Sequence, residues 1–272
     1  MVHIGDIMKE KNNKISVLVV AISSVVIVAV LVFAVFQYIN INNTNNKYNT
    51  LASSVASDIT KATDETGITS PSIDENLAEN PIDFATLTNQ NDEIYSWIYI
   101  PNTKVNYPVC QSKTSDNFYL DHDIYKNYSF PGAIYSQSCN QTNYLDRVTL
   151  LYGHNMLDGS MFADLHKFSD ANFFDKNRYF YVYTPDRKLT YEIASVFIYD
   201  DRHIMNSFNF NEDSQFREYL DTISNPRSVT KNVKEGLKLS LEDKILTLST
   251  CLNSGQGRYL LQGVLVNDER TK

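Results

Sequence analysis

Three residues have side chains that together could carry out nucleophilic catalysis: Cys251, His154 and Arg258. Cys251 ends the apolar, β-branched run "KILTLSTC" and is followed by the polar "LNSGQG", so its thiol could face solvent where a strand becomes a loop. A cysteine nucleophile needs a thiolate or an adjacent base. A single cysteine is more often a small buried hydrophobic residue, so packing is the default interpretation of Cys251 unless partners are found.

His154 has the setting most like that of Cys251 among the five histidines. It follows the apolar run "VTLLYG", so it also stands at the exit of a predicted strand. Taken alone, it could equally be a structural histidine. The other four lie in a tail, a helix or polar connections, where solvation or structural hydrogen bonding is expected: they are His3, His122, His166 and His203.

Arg258 opens the last apolar run, "RYLLQGVLV", seven positions after Cys251. If the two runs are adjacent antiparallel strands joined by "LNSGQG", the guanidinium reaches the space beside the sulfur. There it could donate hydrogen bonds to a substrate carbonyl or to a developing oxyanion. A surface arginine is usually only solvated, so this interpretation depends on the strand pairing.

The elements that must position these residues are mainly strands. Segments rich in β-branched and aromatic residues recur between turn residues and predict about eight strands. They are "SWIYI", "KVNYPVC", "GAIYS", "RVTLLYG", "RYFYVYT", "KLTYEIASVFIYD", "KILTLSTC" and "RYLLQGVLVN". Few helices intervene, and this favours a closed or nearly closed barrel over a doubly wound parallel sheet, because closure removes exposed edges.

Three helices are predicted to flank the strands. One begins near Pro81 with Ile82, Phe84 and Leu87 as its apolar positions. The second is "SMFADLHKF", and the third is "NEDSQFREYLDTISNP", in which Asn211 is a plausible cap. The apolar positions of the third helix fall on one face, which we expect to cover the barrel: Phe216, Tyr219, Leu220 and Ile223.

The N-terminal region predicts a membrane anchor. The run "VLVVAISSVVIVAVLVFAVF" has about the 20 apolar residues that a helix needs to cross a bilayer, and we place the transmembrane helix at 15–39. A cleaved signal peptide and a buried core helix are the alternatives; the run is long for a signal peptide and lacks an A-x-A site. Lysines precede the run, which predicts a cytoplasmic tail at 1–14 and an extracellular remainder. The polar stretch 40–79 is expected to be a stalk with weak helix, and 80–272 the folded domain.

Charge and cysteine content exclude several classes of function. The net charge of −8 without a long basic run argues against nucleic-acid binding. The histidines and cysteines show no metal-site spacing and there is no glycine-rich phosphate loop, so we expect no metal and no cofactor.

Three cysteines cannot all pair. Cys110 and Cys139 could form a disulfide, but spacing alone does not decide this, and we expect both to be free.

The pattern "TLSTC" with a following Arg258, "YGHN" upstream and an N-terminal anchor resembles the sortases, the cysteine transpeptidases of Gram-positive cell surfaces. The resemblance covers about Ile82 to Asn267, and the helix-bearing insert before "KILTLSTC" is similar to that of class B. It implies an eight-stranded β-barrel without metal or cofactor. It also implies that Cys251 is the nucleophile, His154 the catalytic histidine and Arg258 the residue that positions substrate and stabilises the oxyanion. Cys110 departs from the family, whose members more often have an apolar residue there.

The resemblance implies a membrane-anchored enzyme that cleaves the C-terminal sorting signal of secreted proteins through a Cys251 thioester. The acyl group then passes to an amine of peptidoglycan or its lipid-linked precursor. The sorting motif stays open between NPQTN-like and PxTG-like signals.

Two other functions stay open from the sequence. One is a membrane-anchored cysteine peptidase or peptidoglycan hydrolase with water as the acceptor. The order of His154 before Cys251, both at strand ends, counts against it, because many such hydrolases place the cysteine first, at the start of a helix. The other is a surface binding module in which the three residues are incidental.

Overall fold

A computed structural model describes residues 4–56, 59, 77–252 and 256–272, with only the backbone described before Leu18. The chain divides into two compact units, Met1–Asn43 and Thr44–Lys272. The first unit holds most of helix α1 (Ile4–Val55), whose apolar side chains from Leu18 to Phe36 are exposed. By length and composition α1 is the one helix among the described residues that could cross a membrane, a test that a signal sequence also passes.

The last turns of α1 belong to the second unit. Tyr48, Leu51 and Val55 are buried there, and their spacing of three and four residues puts them on one helical face. We expected only weak helix in the stalk at 40–79, but this face lets the helix continue to Val55 within an otherwise polar stretch. Residues 57, 58 and 60–76, which form much of the predicted stalk, lie outside the described residues.

Among the described residues, nine strands form one sheet, and eight of them close into a barrel. Going round the barrel the order is β5, β1, β2, β3, β4, β8, β9, β6, and the pairing of β5 with β6 closes it. The strands are β1 (Ile94–Tyr99), β2 (Asn106–Gln111), β3 (Ile134–Ser136), β4 (Val148–Tyr152), β5 (Tyr179–Thr184), β6 (Arg187–Tyr199), β7 (Lys231–Val233), β8 (Ile245–Cys251) and β9 (Arg258–Arg270). The predicted eight-stranded barrel is confirmed. The short β7 was not predicted from the sequence. It pairs with Ser195, Val196 and Phe197 of β6.

Two pairings decide where the candidate residues lie. β4 runs parallel to β8, with Tyr152 opposite Ser249. β8 runs antiparallel to β9, with Cys251 opposite Arg258. The exits of β4 and β8 and the start of β9 therefore lie side by side at one end of the barrel.

The helices are α2 (Phe84–Gln90), α3 (Ala171–Lys176), α4 (Ile204–Ser207) and α5 (Asp213–Ser224), with 3₁₀ helices at Phe118–Leu120 and Ala163–Ser169. The start predicted at Pro81 is three residues early, because Asp83 caps α2 by accepting from the Thr86 N–H at 3.0 Å. The segment predicted as a helix from "SMFADLHKF" is the second 3₁₀ helix. The cap predicted for α5 at Asn211 is wrong by one residue, since Glu212 holds that position without a side-chain capping bond.

The apolar face of α5 covers the outside of the barrel next to the candidate site. Its four predicted apolar residues are all buried, and they pack with Val148 of β4, Ile245 of β8 and Leu260 of β9. Each such side chain contributes on the order of 2 kcal/mol by leaving water. The insert thus holds together the three strands whose ends carry the candidate residues.

Candidate active site

The positions of His154 and Cys251 follow from the parallel pairing of β4 with β8. The Gly153 N–H donates to the Ser249 carbonyl at 3.2 Å and extends the pairing by one residue. His154 lies two residues beyond Tyr152, and Cys251 two residues beyond Ser249, so the two lie at neighbouring strand ends on corresponding faces. Glycine is required at 153, since a Cβ there would lie 2.7 Å from the Phe162 ring.

The Cys251 thiol and the Arg258 guanidinium are in contact. The two residues lie opposite each other on adjacent strands, and Arg258 Nη1 is 3.5 Å from Cys251 Sγ. The same nitrogen lies 3.2 Å from the Gly257 carbonyl and 3.1 Å from Asp201 Oδ1. Cys251 is half-buried and the Arg258 side chain is 36% exposed, so a peptide can reach both. Sequence reasoning missed Asp201, which also accepts from the Gly257 N–H at 3.0 Å and so orients the start of β9.

The imidazole of His154 is held by loop residues. Its Nε2 lies 2.7 Å from the Leu120 carbonyl oxygen, and its ring stacks on Phe130 with centroids 5.8 Å apart. A carbonyl oxygen can only accept, so Nε2 carries the proton in this contact. Nδ1 is then the nitrogen that is free to take or give a proton at the site.

The main-chain carbonyl of Cys251 has two donors. Asn155 Nδ2 donates to it at 3.0 Å, and His166 Nε2 lies 3.1 Å from it. His166 also packs against the Tyr259 ring at 4.5 Å, so its structural role is as expected. Both contacts fix the backbone from which the thiol projects. Sequence reasoning missed Asn155, although its place directly after His154 was a usable signal.

A polar and aromatic wall lies beside Cys251 and Arg258. Tyr135 of β3 stacks on Tyr152 of β4 at 5.3 Å. His203, from the connection after β6, places Nε2 2.9 Å from the Tyr152 hydroxyl and 2.6 Å from Gln137 Oε1. Burial raises the pKa of Tyr135 to about 12, with Arg258 opposing the shift, so its hydroxyl stays a hydrogen-bond donor. These groups can bind backbone or polar side chains of an extended peptide.

All three cysteines are free. Cys110 is fully buried in β2, and burial raises the pKa of its thiol far above the ordinary value, so it is an inert packing residue. Cys139 is exposed and lies after β3. Over the described ranges, no cluster of three or more histidine, cysteine, aspartate or glutamate side chains is arranged to hold a metal ion.

Comparisons with known proteins give one consistent result. A family model described as "Sortase domain" matches residues 98–266. Sortase B of Listeria monocytogenes is 35% identical over 179 residues, which are 65% of this chain and 71% of that protein. The crystal structure of Clostridium perfringens sortase B is 30% identical, with a TM-score of 0.59 over 68% of this chain and 100% of that one. Sortase B of Bacillus anthracis is 27% identical, with a TM-score of 0.67 over 85% and 99%.

Proposed function

The chain belongs to the sortase family and is a class B cysteine transpeptidase, and on that premise we propose that Cys251, His154 and Arg258 carry out the reaction. The observation that supports this assignment best is the cross-strand contact of Arg258 Nη1 with Cys251 Sγ at 3.5 Å, at a partly exposed position. Buried Cys110 cannot serve as the nucleophile, and exposed Cys139 lies outside the strand ends that hold His154 and Arg258.

In the first step, the Cys251 thiolate attacks the carbonyl carbon of a peptide bond in the sorting signal and a C–S bond forms. The carbonyl oxygen becomes an oxyanion beside the Arg258 guanidinium, which donates hydrogen bonds to it. The C–N bond breaks as the oxyanion collapses. The leaving amine takes a proton from Nδ1 of the His154 imidazolium, and a thioester remains on Cys251.

In the second step, an amine of the cell wall attacks the thioester. His154 Nδ1 accepts the proton that this amine loses, and Arg258 again stabilises the oxyanion. Collapse breaks the C–S bond, releases the Cys251 thiolate and forms a new amide. The acyl group of the secreted protein thus moves from its sorting signal to peptidoglycan or its precursor.

The decisive experiment incubates the full chain with sorting peptides of the NPQTN and PxTG types, with and without a short amine acceptor. Intact mass should show an acyl adduct on Cys251, and added amine should convert it to an amide product. Hydrolysis at the same rate with and without amine would instead support the peptidase alternative. Absence of an adduct with every peptide, together with unchanged results for Cys251→Ala, would contradict the assignment.

The proposal includes a single membrane span at 15–39, with 1–14 in the cytoplasm and 80–272 outside. It is supported by the length and apolar composition of α1 and by Lys9, Lys11 and Lys14 before the apolar run. A membrane-impermeant maleimide tests it, because exposed Cys139 provides a reporter. Intact cells should be labelled and cells with the Cys139→Ser, Cys251→Ser double variant should not; labelling that requires lysis would reverse the topology.

A further inference from the structure

We infer that Tyr48, on the last turns of α1, is a positioning residue that holds the catalytic imidazole of His154 through the 118–132 loop. The inference rests on the proposed role of His154. Tyr48 is not a catalytic residue, because it contacts loop backbone rather than the reacting groups. Its effect passes through Gly132 and Leu120.

The first link is a buried hydrogen bond. The Tyr48 hydroxyl donates to the Gly132 carbonyl at 2.9 Å, and the side chain is 4% exposed. Its ring packs edge-on against Tyr107 at 5.5 Å. Burial raises the pKa of Tyr48 well above 10, so the hydroxyl remains a donor at every pH of interest. A phenylalanine ring would fill the same space as the tyrosine ring. What the hydroxyl adds is the hydrogen bond that fixes the position of the Gly132 carbonyl.

The second link is a close backbone contact between Gly132 and the carbonyl that holds His154. Gly132 has φ +60, and a Cβ there would lie 2.6 Å from Leu120 O and 2.5 Å from Tyr119 O. The Ala133 N–H donates to Tyr119 O at 3.0 Å. The Gly132 backbone therefore lies close against Leu120 O, which accepts from His154 Nε2 at 2.7 Å, and a shift of Gly132 toward this carbonyl would displace it. Phe130 of the same loop supports the imidazole face.

Neighbouring residues of α1 hold the two loops that flank His154. Thr44 Oγ1 lies 2.9 Å from Ser129 Oγ, and both side chains are buried. On the other side, Asn45 Nδ2 donates to Asp158 Oδ2 in the loop that follows His154. The end of α1 therefore contacts both chain segments that set the position of the imidazole.

The test compares two single-atom deletions in the full chain in detergent micelles. Tyr48→Phe removes the hydroxyl from Gly132 and keeps the ring. Tyr144→Phe is the matched control: its hydroxyl is equally buried and lies 2.6 Å from Ser96 Oγ. Each variant loses one buried, hydrogen-bonded hydroxyl, so a general loss of stability should lower the thermal midpoint by a similar amount in both.

We expect Tyr48→Phe to lower kcat about tenfold with KM changed less than twofold, on the sorting peptide that acylates Cys251 fastest. Tyr144→Phe should retain kcat within about twofold. Thr44→Val should act in the same direction as Tyr48→Phe and provides a second variant if that one folds poorly. Equal kcat values for Tyr48→Phe and Tyr144→Phe would overturn the inference.

A second readout does not depend on activity. In chain labelled with ¹⁵N-histidine, the five imidazoles can be resolved by NMR, and the His154 signals are those lost in His154→Gln. Wild type should show His154 protonated at Nε2, and Tyr48→Phe should raise the fraction protonated at Nδ1. An unchanged tautomer ratio overturns the positioning role. Failure of the proposed function would appear differently, as full activity in His154→Gln.

Discussion

The two halves of the candidate site are held by different kinds of structure. Cys251 and Arg258 are paired residues on adjacent barrel strands, and α5 packs over those strands from outside. His154 lies beyond the last residue of β4, and the groups that hold its ring, Leu120 O and Phe130, come from loop segments. The sheet thus sets the position of the proposed nucleophile and oxyanion site, whereas loop segments set the position of the proposed acid–base group. We expect substitutions near β8 and β9 to affect bond formation at sulfur, and loop substitutions to affect proton transfer.

The largest effect expected is that of Cys251→Ala. It directly tests the strand half of the site, which is the pair Cys251 and Arg258. Without the thiol no thioester can form, so peptide cleavage should fall below detection while the thermal midpoint stays close to wild type. Cys139→Ala is the control and should retain full activity. Cleavage above one per cent of wild type in Cys251→Ala would break the comparison, because the sheet would then not supply the nucleophile.

Arg258→Lys should have the second largest effect, about a hundredfold loss of kcat. A lysine lacks the planar fork of a guanidinium, so it cannot hold Asp201 and the Gly257 carbonyl with one terminal nitrogen and present a second one to an oxyanion. Arg202→Lys is the matched control, since Arg202 pairs with Asp200 on the surface of the connection that also holds Asp201. Steady-state cleavage rates measure both; more than half of wild-type activity in Arg258→Lys would remove this residue from the chemistry.

Phe130→Ala tests the loop half and should lower kcat about fivefold, because the imidazole of His154 loses the ring on which it stacks. Alkylation of Cys251 by iodoacetamide should stay within about twofold of wild type, since the strand half is untouched. Tyr128→Ala controls for removal of another exposed aromatic residue from the same loop. If Phe130→Ala slows alkylation and cleavage equally, the two halves are not separable.

The smallest effect concerns His203 in the wall beside the site. Burial lowers the pKa of His203 below 6.5, with the Asp116 carboxylate opposing the shift, and no described residue accepts from its buried Nδ1. The folded state therefore favours neutral His203. Protonation of this group leaves the free energy of unfolding unchanged well above pH 6.5, and lowers it as the pH falls through 6.5 toward the lower folded pKa.

His203→Gln should consequently reduce the loss of thermal midpoint between pH 7 and pH 5 by about 1 °C, because the side chain is only partly buried. Differential scanning calorimetry at both pH values measures the change. Identical pH dependence in wild type and His203→Gln would show that His203 titrates as an ordinary surface group.

The strand half was also the half that sequence could predict. Each of the eight predicted segments is a barrel strand. The alternation of β-branched and aromatic residues within a segment indicates which of its side chains are buried, so no distant residue is needed to predict the strand. The pairing of Cys251 with Arg258 could be expected since a short connection joins their strands. The catalytic roles of these residues and of His154 stay predictions.

The loop half was less predictable for physical reasons. Leu120 O comes from a distant part of the chain, and a backbone carbonyl leaves no signal in residue type. The end of α1 was also missed, because three buried side chains, Tyr48, Leu51 and Val55, are hidden among asparagines, serines and threonines. β7 is only three residues long, too short to show a period.

The parallel pairing of β4 with β8 has a consequence for biogenesis. Its partners, such as Val148 and Ile245, are about a hundred residues apart, and β9 must arrive before Cys251 has Arg258 beside it. Long-range pairings of this kind form late in folding, since their loop-closure entropy must be overcome first. With the proposed topology, residues 80–272 cross the membrane after the anchor, so the proposed reactive centre is not assembled until the final strand has been translocated. The order in which the strands pair thus delays the onset of the proposed activity.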